Sequence, residues 1–409
     1  MEIESRVISI ETITPSSSTP KSLQKYQFSF FDQIAIPSLV HVVYLYPSNP
    51  KISNSEKSKQ LKKSLSEVLT IYYPLAGRIG GNLYVDCNDA GIPFSEAEAD
   101  CDLSEVITTR NPINLKKKFL PLTTDNDLCL AVQATYLRCG GLAVGISITH
   151  KIADGISIIL FVNTWSALAR DAPASLVKLD SATYAPPLDI ILESPCARLL
   201  DEEVTASNLL FSAPEIAALQ ERYTAGGGRR PSRVEALTAF IWTSYVSAVG
   251  IRGHTCIVSN AVSLRSRADP PLSAHQFGNF VVPSTVEAVP GDSGVQLIRK
   301  MREALKAVDA EFVAGLKKRE MQLEVLSSEA SRAAAVDTFF FSSLCRFPYY
   351  EADYGWGTPD RVIRFGMAVK NAVYFMDTKS GGGIEALIKM TKPDMDKLEP
   401  LLMLKSELL

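Results

Sequence analysis

Leu142-Ala143-Val144-Gly145-Ile146-Ser147-Ile148-Thr149-His150-Lys151-Ile152-Ala153-Asp154-Gly155, running into Ile156–Arg170, is the stretch whose reading decides the fold. Large aliphatic residues at 142, 144, 146 and 148 alternate with small or polar ones, the period-two pattern of a strand with one face on a core. From Ile156 to Arg170 the chain is apolar and long enough for a mostly buried helix, and Asp154 and Gly155 make the turn into it. A strand that delivers directly into a helix is an α/β unit, and His150 stands at the end of its strand.

An imidazole fixed at a strand end titrates near physiological pH and can present one face to a substrate, which suits a general base. The residues alone leave a second reading open, a strand-end histidine in a satisfied hydrogen bond. A metal site finds no support: there is no HExxH, and His41, His254 and His275 are scattered.

The surrounding chain is that of an ordinary globular protein. Its 409 residues are comfortable for two cores, with 46% hydrophobic and 21% charged residues. The 42 basic against 45 acidic residues argue against a general affinity for nucleic acid or an anionic membrane. Lys62-Lys63 and Lys116-Lys117-Lys118 read as solvated surface. The acidic start Met1–Ser5 lacks a secretory pattern, and no apolar run is long enough to span a bilayer. The 7 cysteines form an odd set without CxxC spacing, so reduced, mostly buried thiols and a cytoplasmic location are expected. Cys139 lies beyond the Gly140-Gly141 turn and is not expected to act with His150.

Upstream, residues 59–71 carry apolar side chains at helical spacing up to Tyr73-Pro74, and strands are expected near 82–86 and 127–135. Residues 1–172 thus form an N-terminal domain. From 173 to 206 the period dissolves around Pro173, Pro186, Pro187 and Pro195, as in a crossover loop. Residues 207–409 form a second domain, with helices expected near 214–223, 236–242 and 294–317 and strands near 255–263, 279–286, 362–368 and 372–377. Ser232-Arg233-Val234-Glu235 is a capping box ahead of one of these helices, following Gly226-Gly227-Gly228. Mixed strands and helices in both halves give an α/β class with two layers.

His150-x-x-x-Asp154-Gly155 and, about two hundred residues on, Asp353-Tyr354-Gly355-Trp356-Gly357 together resemble the paired HxxxDG and DFGWG signatures of the plant BAHD acyl-CoA-dependent acyltransferases. Tyr73–Arg78, Gly278-Asn279, Cys345–Pro348 and Gly383–Ala386 agree with it, so the resemblance runs nearly end to end. It implies a two-domain chloramphenicol-acetyltransferase-like fold of mixed sheets flanked by helices, with a channel between the domains. It also implies a monomer with no bound cofactor and no metal, using acyl-CoA as co-substrate and a small-molecule alcohol as acceptor. His150 is then the catalytic base, and no covalent serine is needed, which fits the absence of GxSxG.

By the same resemblance Asp154 supports the loop by holding an arginine, matched here by Arg265, while Gly155, Asp353, Gly355, Trp356 and Gly357 are structural. Some relatives draw oxyanion donors from a Thr-Ser-Trp segment. Here it reads Ser342-Ser343-Leu344, so Ser342 keeps a hydroxyl, or is simply a strand residue, and Leu344 has no indole N–H. Ser232 and Arg233 at a helix start are candidates for CoA phosphates, or else a capped helix with solvated arginines.

The words Pro15–Pro20 and Ser29–Gln33 look like the branch that uses acetyl-CoA on alkaloid alcohols. The expectation is O-acylation of an apolar plant specialised metabolite. N-acylation of an amine, a thioesterase-like activity and a non-catalytic relative are the rival readings.

Overall fold

The computed structural model describes all residues except 1–2, 110, 123–124, 126, 175, 190–203, 225–227, 251–255, 335–337, 368 and 405–409. Pro195, Cys196, His254 and Gly226-Gly227, with residues 175 and 190–203 of the expected crossover, lie outside the described residues. The chain divides into two compact units: Met1–Ala197 with Ser273–Phe280 and Phe347–Met367, and Arg198–Leu272 with Val281–Arg346 and Ala368–Leu409.

The first unit begins with β1 (Ser5–Ile13), β2 (Lys25–Gln27), α1 (Phe30–Ile34), β3 (Leu39–Tyr46) and α2 (Asn54–Ile71). It continues through β4 (Arg78–Gly80), β5 (Tyr84–Asp86), β6 (Ile92–Ala99), α3 (Leu103–Ile107) and α4 (Ile113–Phe119). β7 (Leu130–Leu137), β8 (Leu142–Thr149) and α5 (Gly155–Ala169) complete the run. Its main sheet has the order β1-β6-β7-β8-β3-β13, where β13 is Arg361–Arg364. β8 is antiparallel to both β7 and β3, with Thr149 opposite Leu39.

β8 is buried at every position, on both faces, rather than on one face as the alternation suggested. The small residues face protein, not water. Ala143 packs with Val43, Leu45, Phe119 and Leu120, and a Cβ on Gly145 would lie 1.9 Å from the Phe119 carbonyl oxygen. The close passage of the α4 chain therefore sets the small side chains on that face. α2 starts earlier than its apolar period because Ser53 and Glu56 form a capping box. Lys62 is not solvated surface: its ammonium pairs with Glu11 at 2.6 Å and Glu96 at 2.7 Å.

The second unit contains β9 (Val204–Phe211), α6 (Ala213–Arg222), α7 (Arg233–Val249), β10 (Cys256–Ser263) and β11 (Val281–Ala288). α8 (Gly294–Lys306), α9 (Ala310–Gly315), α10 (Arg319–Ala334) and β12 (Thr338–Ser343) follow. β14 (Ala372–Asp377), β15 (Ile384–Thr391) and α11 (Lys392–Met403) close it. Its sheet runs β11-β10-β12-β14-β15-β9, with β12 parallel to both neighbours. Its core gathers Phe240 and Trp242 of α7 with Phe339, Phe341 and Phe375 of the sheet. The helix expected over 294–317 is two helices, because Asp309 accepts from the Phe312 N–H and caps a restart.

The Asp353–Gly357 segment, placed by chain order with the C-terminal half, belongs to the first unit. The reason is β13, which pairs antiparallel with β3 and carries its flanks with it. Likewise residues 204–206, counted with the crossover, are the start of β9. Among the described residues no helix is long and apolar enough to cross a membrane.

Candidate active site

His150 is fixed from its backbone outward. Its N–H donates to the Ser38 carbonyl at 2.9 Å, and its own carbonyl accepts from the Asn279 side-chain amide at 2.7 Å. The same amide nitrogen donates to Asp32 Oδ1 at 2.8 Å, so Asn279 ties the strand end to α1. Asp32 is fully buried and takes five donors: the Ser29 N–H and hydroxyl, the Ser181 hydroxyl, and the Asn279 N–H and amide. Burial raises its carboxyl above the ordinary value, with the hydrogen bonds from Ser29 and Asn279 opposing that rise.

The His150 ring is half-buried, and its Nδ1 is buried without a hydrogen-bond partner. That leaves Nε2 as the nitrogen able to meet a substrate. Burial holds the imidazole below its ordinary pKa; its own carbonyl, the Asp154 charge and Asn279 oppose this, and the Arg364 charge adds to it. A neutral imidazole at neutral pH is the form a general base requires.

Asp154 supports the loop. Its Oδ1 accepts from the Ser157 N–H at 3.0 Å as the N-cap of α5, and its Oδ2 accepts from the Phe280 N–H at 3.1 Å. The Ser157 hydroxyl is placed to bond both the carbonyl of Gly278 at 2.9 Å and its N–H at 3.0 Å. Gly278 has φ +135, and a Cβ there would stand 2.7 Å from Ser181 Cβ. The Gly278–Phe280 loop is thus clipped to the start of α5, which is how Asn279 reaches His150. Lys151 is buried, its ammonium donating to the Gln33 carbonyl at 3.0 Å. His41 bonds the Ser147 hydroxyl at 2.8 Å.

Asp353 folds its own segment: Oδ1 accepts from the Gly355 and Gly357 N–H groups at 2.8 and 3.0 Å. Both glycines have φ +105, a region closed to most side chains. Trp356 stacks on Tyr354 with centroids 5.5 Å apart and meets the edge of Tyr46.

The remaining sequence candidates lie in the second unit. Arg265 follows β10 and is buried. Ser342 is on β12, with its side chain on the opposite face from Phe341 and Ser343, as strand alternation requires. Phe341 and Ser343 line a cavity of about 320 Å³ together with Arg229, Ser232 and Asn260. Ser232 caps α7 and stands at this cavity, whereas the half-buried Arg233 pairs with Asp377 at 2.9 Å. Among the described residues no group of three or more His, Cys, Asp or Glu side chains is placed to hold a metal ion.

His150 and Asp154 stand out in the sequence, whereas Asp32 and Asn279, although they lie within Ser29–Gln33 and Gly278-Asn279, carry no role there. Asn279 is 129 residues from His150 and 247 from Asp32, so no local pattern links them. Arg364 carried no sequence signal.

The model of the Transferase family matches residues 3–401. Stemmadenine O-acetyltransferase of Catharanthus roseus is 32% identical over 97% of this chain and 97% of its own. Vinorine synthase of Rauvolfia serpentina is 34% identical over 96% of this chain and 95% of its own. The crystal structure of vinorine synthase aligns over 97% of both chains with a TM-score of 0.84. The structure of F. sporotrichioides TRI101 complexed with coenzyme A and T-2 has a TM-score of 0.70 at 16% identity over 92% of this chain and 97% of its own, which shows the shared fold.

Proposed function

This chain belongs to the Transferase family of BAHD acyl-CoA-dependent acyltransferases, and from that premise we propose that it transfers an acetyl group from acetyl-CoA to a hydroxyl of a plant specialised metabolite. The reading assigns His150 as catalytic base and the protein as a cytoplasmic monomer that needs no bound cofactor. The observation that carries it is the His150 ring, with Nδ1 buried, its carbonyl clamped by Asn279, and a pKa held below the ordinary value.

In this mechanism Nε2 of His150 takes the proton from the acceptor hydroxyl as its oxygen attacks the thioester carbonyl. The tetrahedral intermediate collapses with cleavage of the C–S bond, and the CoA thiolate leaves with the proton returned by His150. The thioester is already activated, so no acyl-enzyme is formed. Asp154 and Asn279 hold the base and its loop rather than moving protons. The family resemblance supports reading Arg265 as the arginine that serves Asp154 and Ser342 as the source of the oxyanion hydroxyl, and both belong to this proposal. Ser232 is the better CoA candidate of the two at the α7 start, because Arg233 is already spent on Asp377.

Thiol release from acetyl-CoA, with and without a pooled alcohol library and followed by mass spectrometry, tests the reading. Wild type is expected to give an acetylated product, and His150→Ala to lose about two to four orders of magnitude while keeping its fold. Thiol release that ignores the acceptor would make the protein a thioesterase instead.

A further inference from the structure

β6 and β7 run parallel, with Ala99 opposite Leu137 where both strands end. Each chain reaches a cysteine two residues later, Cys101 on one side and Cys139 on the other. The two segments stay together past the strand ends. The Arg138 N–H donates to the Ala99 carbonyl at 3.2 Å and to the Cys101 carbonyl at 3.1 Å, and the Arg138 guanidinium pairs with Asp100, Asp102 and Glu105 at 2.9, 3.2 and 3.3 Å. The chain from Ala99 to Glu105 is thus wrapped around the residue that precedes Cys139.

The sulfurs share this place. Cys101 is buried in the core cluster that contains Ala99 and Leu137. Sγ of the exposed Cys139 accepts from the Leu103 N–H at 3.3 Å, two residues beyond Cys101. A Cβ on Gly141 would lie 3.3 Å from Leu137 Cδ1 and 3.4 Å from the Cys139 Sγ, so this sulfur borders the same cluster. Burial pushes the Cys101 thiol up to about 11, with Glu105 and then Cys139 adding to the rise and Arg138 opposing it. Neighbouring strands run about 4.8 Å apart, inside the span of about 4.4–6.8 Å between Cα atoms that a disulfide needs. One thiol open to solvent beside one in the core is the arrangement in which the first meets an oxidant and the second resolves it. Cys87 and Cys129, whose thiols also feel each other, are both buried and give an oxidant no entry.

We propose that Cys101 and Cys139 are a redox-active pair that a small-molecule disulfide, oxidised glutathione, converts into an intramolecular disulfide. The Cys139 thiolate attacks one sulfur of oxidised glutathione and expels a glutathione thiolate. The Cys101 thiolate then attacks the Cys139 sulfur of the mixed disulfide and expels the second glutathione. The two protein thiols lose two electrons and two protons, and one glutathione disulfide becomes two thiols. The bond ties the start of α3 to the turn between β7 and β8, at the opposite end of β8 from His150, so it stabilises the first unit and leaves the candidate base untouched. The inference stands apart from the acyltransferase reading.

The full chain is incubated with oxidised glutathione, its free thiols are alkylated, and it is read by intact mass and by peptide mapping without reduction. Wild type is expected to lose two hydrogens, regained on treatment with dithiothreitol, and to give a linked peptide pair holding Cys101 and Cys139. Cys101→Ser should stop at a glutathione adduct on Cys139, and Cys139→Ser should gain neither adduct nor linkage at Cys101. Oxidised wild type should melt at least about 4 °C above the reduced protein, and Cys139→Ser, the exposed substitution that serves if Cys101→Ser does not fold, should show no such shift. A glutathione adduct that persists on Cys139 of wild type, linkage of Cys87 to Cys129 instead, or thiols that stay free overturns the pair. Oxidised wild type that melts no higher than the reduced protein overturns its stabilising role.

Discussion

Replacing Asp154 by alanine removes the acceptor of two backbone N–H groups at once, Ser157 at 3.0 Å and Phe280 at 3.1 Å. Loss of an N-cap costs about 1 kcal/mol, and a buried N–H left without a partner costs about 1–3 kcal/mol. The sum is about 2–4 kcal/mol. In a unit of 150–250 residues each kcal/mol moves the melting temperature by about 2–4 °C, so Asp154→Ala should melt roughly 4–16 °C below wild type. Asp154→Asn keeps the cap, since asparagine caps as well as aspartate, but offers one oxygen to two donors and should fall in between. Activity should fall alongside stability, because Phe280 is the neighbour of Asn279 and the clipped loop delivers that amide to His150. Scanning calorimetry of the three proteins, paired with thiol release at a temperature where all are folded, measures both effects. An Asp154→Ala protein that melts within about a degree of wild type yet transfers nothing would refute the reasoning and place Asp154 in the proton path.

Two further outcomes are expected. Because burial holds His150 below its ordinary pKa of 6.5, kcat/KM should stay flat through neutral pH and drop only as pH falls through that lowered value. The sign for stability agrees: the unfolded chain takes up this proton first, so His150 contributes to loss of stability as pH falls below about 6.5. An acid limb centred above 6.5 in a pH–rate profile would contradict both statements. Asn279→Ala should lower kcat about 10- to 100-fold, the loss of one clamping hydrogen bond with its buried acceptors left short, while KM for acetyl-CoA changes little. An equal loss confined to KM would show that Asn279 binds substrate rather than positioning the base.

Local chemistry determined much of this molecule. The β8 alternation, the apolar α5 and the Asp154 turn between them are written within thirty residues, so the strand, the helix and the histidine at their junction were legible without coordinates. The two short signatures identified the family, and the capping box at Ser232 fixed a helix start. The tertiary structure decided what lies between distant segments. It made the small residues of β8 a packing surface for the α4 chain, moved Asp353–Gly357 into the first unit through the pairing of β13 with β3, and paired Arg233 with Asp377. It also joined Asp32, His150 and Asn279. Periodicity and capping reach only a few residues along the chain, whereas a hydrogen bond across 247 residues exists only once the sheet and its loops have closed.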